Sequence, residues 1–334
     1  MNKNKFAVIG AGGWGTALAI QLSKKHDVII WAYEEAISEE INSQHTNNLF
    51  LPKITLPTNI RATSRLHDIS ECEYIINTVP TQHIRGVYKN ISNEIINNSK
   101  VIINGAKGIE RQTLMRISEI FSEVCGISLE NYVVLTGPSH AEEVSRNIPT
   151  TIVAASNNLE LAKQTQEIFS NESLRVYSSD DVIGCELGGA LKNIIAVTAG
   201  MLDGLLLGDN TKAALITRGL AEMTRLGVAL GANPLTFAGL SGLGDLVVTC
   251  NSLHSRNRKV GELLAQGWDL EKIIQTHKTV AEGVTTTESA LQLSRKVNVE
   301  MPITEQTFKA LFEKHPVKEI ITSLMSREYR NEIC

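Results

Sequence analysis

The chain has little cysteine: five in 334 residues, Cys72, Cys125, Cys185, Cys250 and Cys334, far apart and without a C-x-x-C pair. That spacing argues against both a disulfide framework and a zinc site, so no metal is expected, and it fits a reducing, cytoplasmic setting. Positive charge is not in excess either. The net charge is −4, and the only dense basic run, Arg256-Asn257-Arg258-Lys259, is short. Without a broad basic field, nucleic acid is not an expected partner. Long apolar runs are missing as well. No stretch approaches the ~18 apolar residues of a membrane span, so no integral membrane segment is expected. The apolar run after the basic start, "FAVI", is too short for a signal-peptide core. No Pro/Gly/Ser-rich linker and no repeat of 20 to 50 residues divides the chain.

What is present has two rhythms. Up to about residue 180, apolar β-branched runs alternate with helix-length segments: "FAVI", "DVIIW", "EYIINTV", "KVIING", "YVVLTG" and "TTIVAAS". Runs that are continuously apolar belong to strands buried on both faces, which predicts a mostly parallel sheet between helices, an α/β fold of the doubly wound type. Beyond "RVYSSDD" only helical periods remain, as in "TKAALITRGLAEMTRLGVALGA". The reading is therefore two packed domains, a sheet domain over 1–180 and an all-helical domain over 181–334, with a cleft between them.

Directly after the first run, "GAGGWG" puts Gly10, Gly12 and Gly15 in a G-x-G-x-x-G spacing that opens a helix. One glycine makes the turn, one lets the backbone approach a pyrophosphate, and one lets helix and strand meet, so a dinucleotide site is expected here. At the end of the second strand an acidic residue would hold ribose hydroxyls, whereas an arginine would suit a 2′-phosphate. The chain has "WAYEE" there, with Glu34 slightly late, so NAD and NADP both stay open.

Lys192 sits in the middle of the apolar, helix-spaced segment from Gly184 to Gly204. A buried ammonium must be neutralised or paired. On helical spacing Gly188, Gly189, Ala196, Ala199 and Gly200 share its side. Either another helix closes on this narrow strip while the lysine snorkels outward, or a ligand meets the ammonium there. Lys107 in "NGAKGIE" follows a strand, where ligands of an open sheet bind, or else it is a solvated loop lysine. Ser139 and Glu142 fit a capping box, as do Thr285 and Glu288, and His140 reads as a surface or packing histidine. Asp245, behind the glycine-rich bend "GLSGLGD", would ordinarily be a helix cap, with Thr249 one turn on. Ser255, Arg256 and Asn257 stand at an apparent helix start able to grip phosphate, or on a solvated helix face.

The ordered set GAGGWGTA, NGAKGIE, TGPSHAEE, GGALKNIIA, TRGLAEM, GLGDLVVTC, SRNRK and EGVTTT resembles the NAD(P)-dependent glycerol-3-phosphate dehydrogenases of the bacterial branch, from about Phe6 to about Tyr329. The resemblance implies a Rossmann-type first domain and a homodimer. It also implies an oxidoreductase that interconverts dihydroxyacetone phosphate and sn-glycerol 3-phosphate with NAD or NADP, feeding glycerophospholipid synthesis. By position, Lys192 matches the catalytic lysine, with Lys107, Asp245 and Thr249 beside it. Arg256 and Asn257 match the grip on substrate phosphate, with Ser255, Gly137 and Ser139 near the substrate. Gly10, Gly12, Gly13, Trp14, Gly15, Tyr33, Lys107, Ala141, Arg256, Val280 and Glu282 match positions that contact the dinucleotide. The family's bacterial members often carry Arg or His where this chain has Tyr33 and two glutamates. Two other readings compete: a hydroxyacid dehydrogenase of similar build acting on an unphosphorylated substrate, and a dinucleotide sensor without catalysis.

Overall fold

A computed structural model describes residues 5–91, 95–97, 99–276, 281–329 and 331–332. The first half runs β1 (Lys5–Ile9), α1 (Gly13–Ser23), β2 (Asp27–Trp31), α2 (Glu35–Gln44), β3 (Ile60–Thr63), β4 (Tyr74–Asn77) and α3 (Thr81–Lys89). It continues through β5 (Val101–Asn104), α4 (Ile117–Cys125), β6 (Tyr132–Thr136), α5 (Ala141–Val144), β7 (Thr150–Ala155), α6 (Leu159–Phe169) and β8 (Leu174–Ser179). The strands form one sheet in the order β3-β2-β1-β4-β5-β6-β7-β8. Alternate side chains feed opposite layers, as the strand period requires: Phe6 and Val8 join one core, Ala7 and Ile9 the other.

The sheet is Rossmann-like and mostly parallel, with one reversal. β6 and β7 pair antiparallel, and β8 then runs parallel to β7. Between Thr136 and Thr150 the chain forms only the single-turn α5 and loops, too little to make the helical crossover that a parallel return needs. β3 and β8 go beyond the six apolar runs in the sequence. Both are edge strands with alternating burial at their cores, so neither shows the continuous apolar signature of a central strand.

The second half is helical: α7 (Val182–Gly204), α8 (Gly208–Ala229), α9 (Pro234–Ala238), α10 (Asp245–Asn251) and α11 (Arg256–Ala265). It ends with α12 (Leu270–Thr276), α13 (Glu282–Lys296), α14 (Pro302–Phe312) and α15 (Val317–Met325). α7 corrects one expectation, because by length and composition it could cross a membrane. It does so on average apolarity, despite its charged residues, and 94% of its most apolar 18-residue window is buried inside the protein. It is the core helix around which α8, α10, α11 and α13 pack.

The narrow strip on α7 has a clear steric use. A Cβ on Gly200 would lie 1.8 Å from the Arg258 carbonyl oxygen, and one on Gly261 would lie 1.8 Å from that of Val197. α7 and α11 therefore cross backbone to backbone. Two predicted caps differ from the structure. Ser139 Oγ donates to the Gly137 carbonyl at 2.9 Å, leaving His140 to precede α5, so no capping box forms. Thr285 lies inside α13, which starts at Glu282, and its hydroxyl donates to the Glu282 carbonyl.

Candidate active site

The order of the strands reverses between the parallel neighbours β1 and β4, and the crevice of such a sheet opens at the carboxyl ends of these strands. Gly10, at φ 110°, turns the chain out of β1, and the Thr78 hydroxyl, just past β4, donates to its carbonyl at 2.9 Å. A Cβ on Gly15 would come within 2.0 Å of the same carbonyl, so α1 starts directly against the turn. A Cβ on Gly12 would meet nothing within 4 Å, and no side chain caps α1. The start of this 11-residue helix is thus uncapped and open beside Gly12, as the approach of a pyrophosphate requires. Ala141 lies 3.6 Å from the position a Gly13 Cβ would take, which brings α5 to the edge of this cradle. The Trp14 indole packs against Gly105, its Nε1 buried and without a hydrogen-bond partner. Tyr33 is exposed and meets Trp31 edge-on.

Beside the cradle, two lysines share one carboxylate. Lys192, on α7, donates to Asp245 Oδ1 at 2.6 Å and to Thr249 Oγ1 at 2.7 Å. Lys107, in the loop after β5, donates to Asp245 Oδ2 at 2.6 Å and to the Gly137 carbonyl at 3.1 Å. The Thr249 hydroxyl itself donates to the Asp245 backbone carbonyl at 2.6 Å. The Lys192 side chain is 8% exposed, so it does not snorkel to water. Asp245 opens α10 after a π-helical turn, Leu240–Gly244, and its carboxylate goes to the lysines instead of capping the helix.

The electrostatics follow from this packing. Burial pulls the Lys192 ammonium down to about 8, with Asp245 opposing and Lys107 adding to the fall. Burial alone would raise Asp245, but Lys107 and Lys192 together hold it below the usual carboxylate range. His140 is no surface residue. Burial first and Lys192 second push its imidazole below the ordinary value, its Nε2 is buried without a partner, and its ring stands 5.7 Å from that of His254.

His254 leads into the start of α11. Ser255 caps this helix, its hydroxyl accepting the Arg258 amide at 3.2 Å. Arg256 follows, exposed and without a hydrogen bond or ion pair among the described residues, and both line a 170 Å³ cavity with His254 and Lys259. Asn257 is already engaged, donating to Asn193 Oδ1 at 3.0 Å and accepting the Gly283 amide at 2.8 Å. Glu282 accepts the Thr81 amide at 2.9 Å, while its Oε2 is buried and unpartnered, and burial raises its carboxyl to about 7. Val280 lies outside the described residues.

The structure therefore gathers Lys107, Gly137, Ser139, Lys192, Asp245 and Thr249 in one cluster, and Gly10, Gly12, Gly13, Gly15 and Ala141 in a neighbouring cradle. Trp14 leans on the loop that carries Lys107. The open face at Gly12 and the orphaned polar atoms of Trp14 and Glu282 fit a dinucleotide. Among the described residues, no group of three or more His, Cys, Asp or Glu is assembled, and Cys72, Cys125, Cys185 and Cys250 form no disulfide.

The family described as NAD-dependent glycerol-3-phosphate dehydrogenase N-terminus matches residues 5–162, and its C-terminus counterpart matches residues 181–322. The chain belongs to this NAD-dependent glycerol-3-phosphate dehydrogenase family. A relative from Oceanobacillus iheyensis, named glycerol-3-phosphate dehydrogenase [NAD(P)+], is 49% identical over 98% of this chain and 96% of its own length. One of the same name from Pelotomaculum thermopropionicum is 50% identical over 98% and 95%. The crystal structure of glycerol-3-phosphate dehydrogenase from Coxiella burnetii superposes with a TM-score of 0.92 at 36% identity, covering 97% of this chain and 99% of that one.

Two groups of buried polar residues at this family site escape the sequence patterns. Asn77 and Asn104 end β4 and β5 and meet through their amides at 2.8 Å. Their signal is a polar residue closing each of two otherwise apolar strands, "YIIN" and "VIIN". Glu186 is a buried charge on α7 itself, six residues before Lys192, and it accepts from Arg116, Ser118 and the Tyr132 hydroxyl.

Proposed function

We propose that this chain interconverts dihydroxyacetone phosphate and sn-glycerol 3-phosphate with NAD or NADP, using Lys192 as the general acid and base. The observation that carries the assignment is the Lys107–Asp245–Lys192 cluster at the carboxyl edge of the sheet, in a chain of this family. When bound, the dinucleotide supplies or accepts the hydride. Gly10, Gly12, Gly13, Gly15, Trp14 and Ala141 would hold it, with Glu282 at the far side.

The chain's own part is to place and move one proton. An acid-base catalyst works best when its pKa lies near the operating pH, and Lys192 at about 8 meets that condition where a solvated lysine would not. In reduction Lys192 Nζ gives a proton to the carbonyl oxygen of the substrate. In oxidation the neutral amine takes it back. Asp245 and Thr249 hold the ammonium in one orientation, and Lys107 favours negative charge on the same oxygen as it develops. Arg256 and the capped start of α11 anchor the phosphate, so that binding energy spent away from the reacting carbon fixes its orientation.

The Arg256 guanidinium, without a hydrogen bond or ion pair among the described residues, and the 170 Å³ cavity beside it favour a phosphorylated substrate over an unphosphorylated hydroxyacid. A pure sensor would have no use for two lysines on one carboxylate. The reading extends to a division near residues 180 and 181, a homodimer in the cytoplasm, and supply of sn-glycerol 3-phosphate for glycerophospholipid synthesis. Following NADH and NADPH oxidation with dihydroxyacetone phosphate tests it. Lys192→Ala is expected to lower kcat by at least about 100-fold, within the range typical of acid-base catalysis. Full turnover by that variant would remove Lys192 from the mechanism.

A further inference from the structure

We propose that Asn104 is a positioning residue for Lys107, locking the turn that presents this lysine to Asp245. The inference rests on the acid-base reading above and deepens it. Lys107 lies in a segment, 105–116, that contains neither helix nor strand and has a glycine on each side of the lysine. A lysine there has up to ~2 kcal/mol of side-chain entropy to lose, and its backbone is as soft as its neighbours allow. Yet its Nζ makes two defined bonds, to Asp245 Oδ2 at 2.6 Å and to the Gly137 carbonyl at 3.1 Å. Something must hold the base of this arm.

Asn104 does so with both ends of its amide. Its Oδ1 accepts the Ala106 N–H at 3.1 Å, and its Nδ2 donates to the Ala106 carbonyl at 3.0 Å. The residue directly before Lys107 thus has both backbone groups tied to one rigid side chain. The amide is in turn fixed from behind. Asn77 Nδ2 donates to Asn104 Oδ1 at 2.8 Å, and Asn77 Oδ1 accepts from the Tyr88 hydroxyl at 3.2 Å and the Val79 amide at 3.3 Å. Both asparagines are fully buried. Turning the Asn104 amide over would set its nitrogen against two N–H donors and its oxygen against a carbonyl, so only one orientation satisfies the network. The Tyr132 hydroxyl, which donates to Glu186 on α7 at 2.7 Å, also interacts with Asn104. The same buried group therefore stands at the foot of both the Lys107 arm and the helix that carries Lys192.

The titratable groups acting on Lys192 are Asp245, Lys107, Cys250 and His140, and Thr249 accepts a hydrogen bond from it. Of these, Lys107 is the one whose place depends on the Asn104 turn. Loosening the turn withdraws a cation from Lys192 and weakens the stabilisation of developing charge, which lowers the rate and moves the Lys192 limb of the pH profile upward.

The test is a double-mutant cycle on the whole enzyme, with dihydroxyacetone phosphate reduction followed from pH 6 to 10. Asn104→Ala is expected to lower kcat/KM by about 10- to 100-fold, the cost of a misplacement of roughly an ångström. It should shift the falling limb in the same direction as Lys107→Ala and add less than about twofold in the Lys107→Ala background. Asn104→Ser keeps an acceptor for the Ala106 amide through a weaker turn and should lie between Asn104→Ala and the parent. If Asn104→Ala does not fold, as judged by thermal melting, Asn104→Ser alone decides by its limb and its cycle with Lys107→Ala. The same loss of rate in both backgrounds, or an unmoved limb in a folded Asn104 variant, overturns the proposal. An unimpaired Lys107→Ala enzyme would instead overturn the role given to Lys107, on which the proposal depends.

Discussion

At the residue scale, one buried carboxylate between two ammonium groups sets the behaviour of the site. In the proposed mechanism Lys192, near 8, is protonated to drive reduction and neutral to drive oxidation. Reduction is therefore expected to fall as pH rises through about 8, and oxidation to rise over the same interval. Asp245 opposes the loss of the proton, so removing its charge lowers the Lys192 pKa further. Asp245→Asn is expected to move the falling limb of reduction to lower pH and to destabilise the protein by about 3–5 kcal/mol, because the buried Lys192 and the partly buried Lys107 lose their counter-charge. Rate profiles in both directions and denaturant titrations measure the two effects. A limb that stays in place would show that Lys192 does not titrate in the rate-limiting step. The lysine itself was legible in the sequence, since a lone cation amid apolar residues poses its own question. Its partners were less so. Asp245 fits an ordinary cap by spacing, and nothing in "VIING" says that the asparagine turns back on its own loop.

At the element scale, α7 serves two purposes along one strip of small residues. Toward its carboxyl end, Gly200 admits α11 to backbone contact. Toward its middle, Gly189 admits Lys107, whose stem carbons lie 3.4 Å from the place a Cβ would occupy. The sequence posed a helix closing on the strip with Lys192 snorkelling outward against a ligand meeting the ammonium: the helix closes at Gly200, Lys192 stays buried, and the strip at Gly189 is covered by the Lys107 stem. Because Arg256 opens α11 and Lys192 lies on α7, the crossing at Gly200 and Gly261 fixes the distance between the proposed phosphate anchor and the proposed proton donor. Gly200→Ala would drive a methyl group into the Arg258 carbonyl, and relief requires the helices to separate. The expected cost is at least about 1–3 kcal/mol of stability, as for overpacked cores. KM for dihydroxyacetone phosphate should rise while the Lys192 limb stays near pH 8. An unchanged KM in a folded variant would mean that α11 does not position the anchor. The central strands were readable from apolar runs, but the edge strands β3 and β8 were not, because their alternating burial at the sheet margin leaves no continuous run. The reversal at β7 was also hidden, since strand direction depends on the connection and not on the strand's own residues.

At the scale of the whole molecule, the halves are joined by buried polar links that also build the site. Lys107 meets Asp245, Glu282 reaches the Thr81 amide, and Glu186 binds α7 to Arg116, Ser118 and Tyr132. No single motif in the sequence specifies such links, because each partner comes from a segment that looks complete by itself. Their outcome is a local charge opposite to the average. The chain carries −4 overall, whereas Lys107 and Lys192 outnumber Asp245 by one and Arg256 adds a second positive charge. On the proposed reading an anionic phosphate is repelled by the molecule at large and drawn toward the two lysines and Arg256. The Debye length is ~10 Å at 0.1 M salt, so added salt weakens this attraction more than it weakens the buried contacts made after binding. Raising the salt from about 0.02 to 0.3 M is expected to lower kcat/KM several-fold with little change in kcat. Arg256→Ala should raise KM by about 10-fold or more, as expected for losing a charge-assisted hydrogen bond, and should flatten the salt dependence. Stopped-flow and steady-state measurements across that range distinguish the cases. A variant whose salt slope matched the parent would show that the attracting field comes from elsewhere, and the phosphate would then have to be placed away from the start of α11.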